Sequence, residues 1–308
     1  MNFLVTGEPD FWESALANRL VAEGHTVQVL DDLSNGRHEH LDPVSLLRRD
    51  VDNIPLIWSL LQDVDGVYHL AARVSVPQSV LHPREYNRVN VGGTVSLMEA
   101  MRDTGIGRVV FASSGAVYGN QPHQPVQEDN PPHPDSPYAV SKWSAEQYIH
   151  TIGELWGIET VALRIFNAYG PNQSLPVSHA PVVPRFLQQV LSGGSIVVFG
   201  DGRQTRDFIY VDDVVDALVT AATARDINRQ VINIGRGEET TIRDLVRHIE
   251  AAAGKHVTLI TNPQKPGGVP RLAADISRAR ELLGFQPQID LDTGLRLMLE
   301  RDTRFNKT

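Results

Sequence analysis

The chain has 308 residues, 41% apolar and 21% charged, with a net charge of −9 and no cysteine. That length suits one large domain or two modest ones sharing a cleft. The composition excludes disulfides, thiolate nucleophiles and Cys-based metal sites, and the acidic balance argues against a nucleic-acid partner. No apolar run approaches the ~20 residues that span a bilayer, which argues against a membrane protein. The opening MNFLVTGEPD lacks a basic leader and enters strand-like sequence at once, so no signal peptide is read and a cytoplasmic enzyme is expected.

In chain order, β-rich runs at Asn2–Thr6, Thr26–Leu30, Gly66–Leu70, Arg108–Ser113 and Glu159–Phe166 alternate with helix-length stretches. The helical stretches include Ser14–Ala22, Arg84–Asp103 and Pro137–Leu155. That alternation predicts an α/β fold with a parallel sheet covered on both faces, a doubly wound, Rossmann-type arrangement. The continuous apolar runs Val67–Leu70 and Val109–Ala112 fit strands buried on both sides. Ligands of such sheets bind at the carboxyl ends of the strands. Pro171–Pro184 is rich in Pro, Ser, Asn and His and reads as a long loop. Arg206–Ile234 reads as strand, helix, strand returning to the first domain. Thr241–Ala253 reads as a helix with a capping box from Thr241 to Asp244 and a stop at Gly254. Asp275–Leu283, ended by Gly284, is a further helix. The expected domains are a dinucleotide-binding unit over 1–170 plus about 206–234, and a smaller α/β unit over about 171–205 plus 235–308.

Tyr138 and Lys142 lie four residues apart in PYAVSKWSAEQY, just after Pro137. Proline is tolerated in a helix's first turn, so both side chains fall on one helical face. A phenol titrates near ~10 and needs a neighbouring cation to act as a base at neutral pH. Lowering its pKa by ~3 units takes roughly 4 kcal/mol, within reach of an ammonium in a cleft. Ser114 ends a predicted buried strand, where its hydroxyl can hold a substrate oxygen. His69 reads as a structural residue inside its strand, and the other histidines show no metal spacing.

These stretches resemble the extended short-chain dehydrogenase/reductases, and within them the NAD-dependent nucleotide-sugar epimerase/dehydratase family. The matching segments are VLDDLSNG (29–36), HLAARVSV (69–76), NVGGT (90–94), SSGAVYG (113–119), SPYAVSK (136–142), LRIFNAYGP (163–171) and GDGRQTRDFIYVDDV (200–214). Among these enzymes the chain is most similar to the UDP-glucose 4-epimerases. The resemblance implies that Tyr138 is the acid/base, that Lys142 orients the nicotinamide ribose and lowers the Tyr138 pKa, and that Ser114 binds the sugar 4-oxygen. In the implied reaction Tyr138 takes the 4-hydroxyl proton while C4 passes hydride to NAD. The 4-keto sugar then turns over and hydride returns to its other face, so the cofactor ends unchanged. Related 4,6-dehydratases carry Asp-Glu where this chain has Gly115 and Ala116, which supply neither acid nor base for elimination. The family also implies a homodimer formed through helices near Arg84–Asp103 and Tyr138–Thr151.

On the cofactor side, Asp31 ends the second strand 24 residues after Gly7, where a carboxylate accepts from a ribose diol and repels a 2′-phosphate, favouring NAD over NADP. The alternative is that Asp31 and Asp32 only open a turn. The resemblance places Asn35, Gly36, Asp50 and Val51 around the adenosine, and runs Leu70–Val74, with Leu70, Ala71 and Ala72, beneath the cofactor, although family members often carry lysine where Val74 stands. It puts Asn90 and Phe166 on the cofactor side of the site. The first turn departs from the family's Gly-x-x-Gly-x-x-Gly and reads Gly7-Glu8-Pro9-Asp10-Phe11-Trp12-Glu13. Asp10 adds a negative charge beside a diphosphate, worth on the order of 1–4 kcal/mol at ~4 Å. Glu13 puts a carboxylate where the helix presses on the sheet, with a desolvation cost unless it is paired. The N–H donors of Phe11 and Trp12 survive at the helix N-terminus. Three readings stay open: NAD bound along a displaced course, binding weakened or lost in a catalytically silent relative, or an altered segment in an ordinary epimerase.

On the substrate side, Arg206 and Arg271 are candidates for the diphosphate, because a guanidinium forks onto phosphate oxygens. Asn167 matches a diphosphate-binding position of the family. Val183, Pro184, Phe186 and Val198 shape the base pocket or belong to the core. Leu272 falls where the family sets the size of the sugar pocket, and leucine leaves hexoses and N-acetylated sugars both open. The expected ligands are therefore NAD and a UDP-sugar. The competing readings are another nucleotide-sugar reductase or decarboxylase of the same fold, and a non-catalytic nucleotide-sugar binder.

Overall fold

The computed structural model describes residues 1–7, 11–33, 45–176, 180–262 and 268–306. Five strands begin the main sheet: β1 (Asn2–Thr6), β2 (Thr26–Asp31), β3 (Ser45–Arg48), β4 (Gly66–His69) and β5 (Arg108–Ser114). They are followed by β6 (Glu159–Ile165), β7 (Asn167–Tyr169), β8 (Ile196–Phe199), β9 (Thr205–Arg206), β10 (Phe208–Tyr210) and β11 (Gln230–Ile234). The last two strands are β12 (Thr240–Thr241) and β13 (Leu259–Asn262). The seven-stranded sheet has the order β11-β6-β5-β4-β1-β2-β3, and every pairing in it is parallel. Strand order reverses between β1 and β4, the crevice where doubly wound folds bind ligands.

The helices on either side follow from the strands' residues alternating between two cores. Phe3, Val5, Val27 and Val29 face one core, whereas Leu4, Leu30, Val67 and Phe111 face another. The first face is covered by α1 (Trp12–Ala22), and the second by α2 (Ile54–Leu60), α5 (Gly93–Thr104) and α6 (Pro137–Trp156). Between α2 and α5 lie the short α3 (Val76–Leu81) and α4 (Pro83–Tyr86). The remaining helices are α7 (Val182–Leu191), α8 (Val211–Thr223), α9 (Ile242–Ala253), α10 (Ser277–Leu283) and α11 (Leu291–Arg301). α8 packs beside α1. The first core runs on from α1 and α8 into α7, α9 and α11 without interruption.

Three local differences from the sequence reading have physical causes. Arg84–Asp103 is not one helix: Asn87–Gly92 winds as a wider π-type segment between α4 and α5. The loop expected to reach Pro184 ends at Pro181, because Val182 and Val183 start α7 and Pro184 sits in its first turn, where proline needs no hydrogen-bonded N–H. Asp275 lies before α10, which starts at Ser277, and its carboxylate accepts from Ser277 N at 2.8 Å. The expected cap of α9 is present: Thr241 Oγ1 accepts from Asp244 N at 3.0 Å, and Gly254 ends the helix in a left-handed conformation.

Candidate active site

Ser114 closes β5, and α6 begins at Pro137 behind its N-cap Ser136, whose side chain accepts from Ala139 N at 3.3 Å. This brings the expected trio to one end of the sheet. Burial pushes the Tyr138 phenol up, and a hydrogen bond with the Ser114 side chain pulls it down. The Tyr86 ring meets Tyr138 edge-on at 6.4 Å. Ser114 Oγ also accepts from Ala116 N at 3.2 Å. Lys142 is buried, with Nζ 4.4 Å from the centre of the Phe111 ring. Desolvation drives its ammonium down to about 7, while the carboxylates of Glu146 and Glu13 oppose that fall. Lys142 does not figure among the groups that move the Tyr138 phenol, so in this arrangement serine rather than lysine is the partner favouring its ionised form.

Gly115 has no spare room. A Cβ there would stand 3.2 Å from ring carbons of Phe166, tighter than ordinary packing. An aspartate at 115 would therefore displace Phe166, which is buried beside Tyr118 at 6.3 Å between rings.

Six of the expected cofactor residues, Asp31, Asp32, Asp50, Val51, Ala71 and Ala72, line one cleft at the carboxyl ends of β2, β3 and β4, together with Arg73 and Val89. Asp31 Oδ1 accepts from Leu33 N at 2.6 Å, so this carboxylate both shapes its turn and faces the cleft. Arg73 reaches Asp32 at 3.3 Å, and Asp50 is held by Arg88 at 2.7 Å, which keeps its carboxyl below the usual range against burial. Arg73 entered the sequence reading only as part of the Leu70–Val74 run, and Arg88 was not singled out from sequence. Gly7 has φ +132°, and a Cβ on it would lie 2.9 Å from Ala71 N, so glycine is required where β1 meets the loop after β4. Leu70 is buried just before that loop. Phe11 precedes α1 and Trp12 opens it, while Glu13 is buried in its first turn. Asn35, Gly36, Glu8, Pro9 and Asp10 lie outside the described residues.

Asn90 sits in the π-type segment and is buried. Its Oδ1 accepts from Arg73 N at 2.7 Å, and its Nδ2 donates to Arg73 O at 3.0 Å and Ser141 Oγ at 2.9 Å. It therefore ties the cofactor loop to α6, the helix of Tyr138 and Lys142. His69 is structural, as expected. Thr94 Oγ1 donates to Asn90 O at 2.7 Å, so it accepts from His69 Nε2 at 2.8 Å, and His69 Nδ1 accepts from Thr6 Oγ1 at 2.7 Å. Desolvation drives that imidazole down to about 3, so it is neutral.

The expected substrate residues divide between half-buried or exposed polar positions and the core. Arg206 donates Nη1 to Thr205 O at 2.6 Å and to Val269 O at 2.7 Å, and burial pushes its guanidinium down. Arg271 is exposed and pairs in two-point fashion with Glu239, with Nε at 2.9 Å. Asn167 opens β7, where its N–H donates to Asp207 O at 3.0 Å. Leu272 is buried beside Arg271, in the segment whose Ala274 bridges to Val126. Val183 and Phe186 on α7 and Val198 on β8 are buried in the first core. Among the described residues no cluster of three His, Asp or Glu is placed to hold a metal, and no helix is long and apolar enough to cross a membrane.

Comparison with known proteins agrees with this geometry. Residues 3–235 match the model of the NAD dependent epimerase/dehydratase family. The UDP-glucose 4-epimerase of Mycolicibacterium smegmatis is 40% identical, covering 97% of this chain and 98% of the relative. The crystal structure of Thermotoga maritima UDP-glucose 4-epimerase with UDP-glucose superposes with a TM-score of 0.93 at 34% identity, covering 97% of this chain and 98% of that one. That of the Thermus thermophilus UDP-glucose 4-epimerase complex with NAD gives 0.90 at 33% identity over the same shares. A parallel sheet reversing beside an acid-lined cleft, a Ser–Tyr–Lys trio at its edge and the matched span together place the chain in the NAD dependent epimerase/dehydratase family.

Proposed function

We propose that this chain is an NAD-dependent UDP-hexose 4-epimerase, acting on UDP-glucose and UDP-galactose, with N-acetylated sugars as further candidates. The observation that carries the reading is Ser114 at the end of β5 beside α6, where Tyr138 and Lys142 stand one helical turn apart, with Gly115 and Ala116 where elimination chemistry needs a carboxyl pair. The described residues fit NAD on its adenosine side: Asp31 faces the cleft at the end of β2, and Asp32, Asp50, Val51, Ala71 and Ala72 line it. Gly7, Phe11, Trp12, Asp31, Asp32, Asn35, Gly36, Asp50, Val51, Leu70, Ala71, Ala72, Asn90 and Phe166 would hold it with Tyr138 and Lys142. When bound, NAD supplies the reversible two-electron oxidation at C4 of the sugar.

The chain's own groups do the proton work. Ser114 Oγ holds the 4-oxygen, and the Tyr138 phenolate oxygen takes the 4-hydroxyl proton and later gives it back. Lys142 is the cation available to that phenolate: it does not act on the phenol in the present arrangement, and an approach to within about 4–6 Å would lower such a pKa by about 1–3 units. Arg206, Arg271 and Asn167 hold the diphosphate, with Arg271 exchanging Glu239 for phosphate. Val183, Phe186 and Val198 back the base pocket, and Leu272 limits the sugar. The lobes divide as 1–170 plus about 206–234 for the cofactor, and about 171–205 plus 235–308 for the substrate, in a cytoplasmic enzyme.

A homodimer accompanies this reading. Val80 and Leu81 on α3 and Val140 and Tyr148 on α6 are exposed on helices that pack together, leaving apolar surface for a second copy. Sedimentation at twice the 34.0 kDa chain mass is expected, and a monomer at micromolar concentration overturns it. A non-catalytic nucleotide-sugar binder is the second reading, favoured by the altered first turn, where Glu13 buries a carboxylate at the start of α1. Conversion of UDP-galactose to UDP-glucose by the purified chain tests the first against the second.

A further inference from the structure

Residues 138, 142 and 146 follow one another at intervals of four along α6, so they share a face. Tyr138 is half-buried, Lys142 is buried, and Glu146 is fully buried. The Glu146 carboxylate accepts from Ser113 Oγ at 2.7 Å, from Arg164 Nε at 3.1 Å and from Arg164 Nη2 at 2.7 Å. Arg164 is itself fixed: its guanidinium lies 4.7 Å from the Tyr118 ring centre, and Nη1 donates to Glu128 O at 3.3 Å. Ser113 neighbours Ser114 on β5, so Glu146 joins the strand carrying the catalytic serine to the helix carrying Tyr138 and Lys142.

A buried ion pair is poor evidence of a stabilising role, because apolar residues of equal volume often serve as well. The ammonium one turn away supplies a different reason for a charge at this point. From the structure we infer that Glu146 is a positioning residue for the reaction, a carboxylate locked by Ser113 and Arg164 that supplies the fixed counter-charge against which the buried Lys142 ammonium is held. The inference rests on the reading of Lys142 as the cation that supports the Tyr138 phenolate. Other groups face Lys142 as well. Glu13 approaches from α1 with a weaker pull than Glu146, His69 on β4 is neutral, and β5 presents the Phe111 ring face. Arg164, on β6, acts through Glu146 by occupying both of its oxygens.

The chain has only four lysines, at 142, 255, 265 and 307, so the proton on Lys142 can be followed directly in lysine-selective NMR, with Lys142→Met giving the assignment. In the native protein Lys142 should titrate near 7. In Glu146→Gln it should titrate lower by about one unit or more, a tenfold loss of proton affinity. In Arg164→Gln it should titrate higher, because Glu146 then loses its competing cation. If Glu146→Gln does not fold, Glu146→Gln/Arg164→Met removes both buried charges, and the downward shift is again expected. A crosslink without the electrostatic role predicts no shift in folded Glu146→Gln, or shifts of the same sign in both single variants, and either result overturns the inference. The titration needs no turnover. An inactive native chain showing these shifts would sink the epimerase reading alone, and an active one without them would sink this inference alone.

Discussion

At neutral pH the Lys142 ammonium is held in the protein interior, and the direction of its pKa displacement sets a pH dependence of stability. Its proton affinity is near 10.5 unfolded and falls to about 7 folded. Below about 7 both states carry the proton and the desolvation cost is fully present. Between about 7 and 10.5 only the unfolded chain binds it, so stability rises with pH, and above that the cost is gone. Lys142→Met should therefore unfold at higher urea than the native chain at pH 7, by on the order of 2–4 kcal/mol. The gap should narrow steadily towards pH 10, and a gap that stays constant across that range contradicts the assignment. Tyr138, Lys142 and Ser114 were legible because the chemistry dictates their spacing and their place at a strand end. Glu146 continues the same spacing and was missed, since a carboxylate on a helix normally faces solvent and its partners Ser113 and Arg164 lie 33 and 18 residues away. Arg271 was read as a phosphate ligand without Glu239, 32 residues earlier in the chain, which only the folded structure brings opposite it.

The catalytic helix illustrates how packing overrides propensity at the scale of an element. Gly153 in α6 is less favourable than alanine by about 1 kcal/mol of helix propensity. A Cβ there would stand 2.8 Å from Ile158 O and overlap the Thr160 methyl. Overpacking of that kind costs about 1–3 kcal/mol. Gly153→Ala is expected to lower the thermal midpoint in spite of its better propensity, and a raised midpoint would show that β6 yields easily. The central strands were legible from their continuous apolar runs, and α9 from its cap and stop. The break at Asn87–Gly92 was not, because a π-type turn leaves no signature in apolar periodicity. β3 has only four residues, and β8 finds its partner β13 more than 60 residues on, so neither announces itself locally.

In the whole molecule, the order β11-β6-β5-β4-β1-β2-β3 puts the ends of β2, β3 and β4 around the acid-lined cleft and the end of β5 beside α6. Alternation of strand and helix made that sheet foreseeable, and strand polarity fixed which end carries the ligands. The unusual first turn was also visible in the sequence, though not its consequence: Glu13 is buried and its charge reaches Lys142. The central claim is that an intact proton-transfer site works with a resident NAD despite that turn. The measurement is to incubate purified protein with UDP-galactose, with and without added NAD, following UDP-glucose and NADH together, alongside Tyr138→Phe. The account predicts UDP-glucose without net NADH, and a rate lowered by about 10²–10⁴-fold in the variant. Protein that binds NAD and UDP-galactose yet forms no UDP-glucose, or forms NADH in step with sugar oxidation, would contradict it.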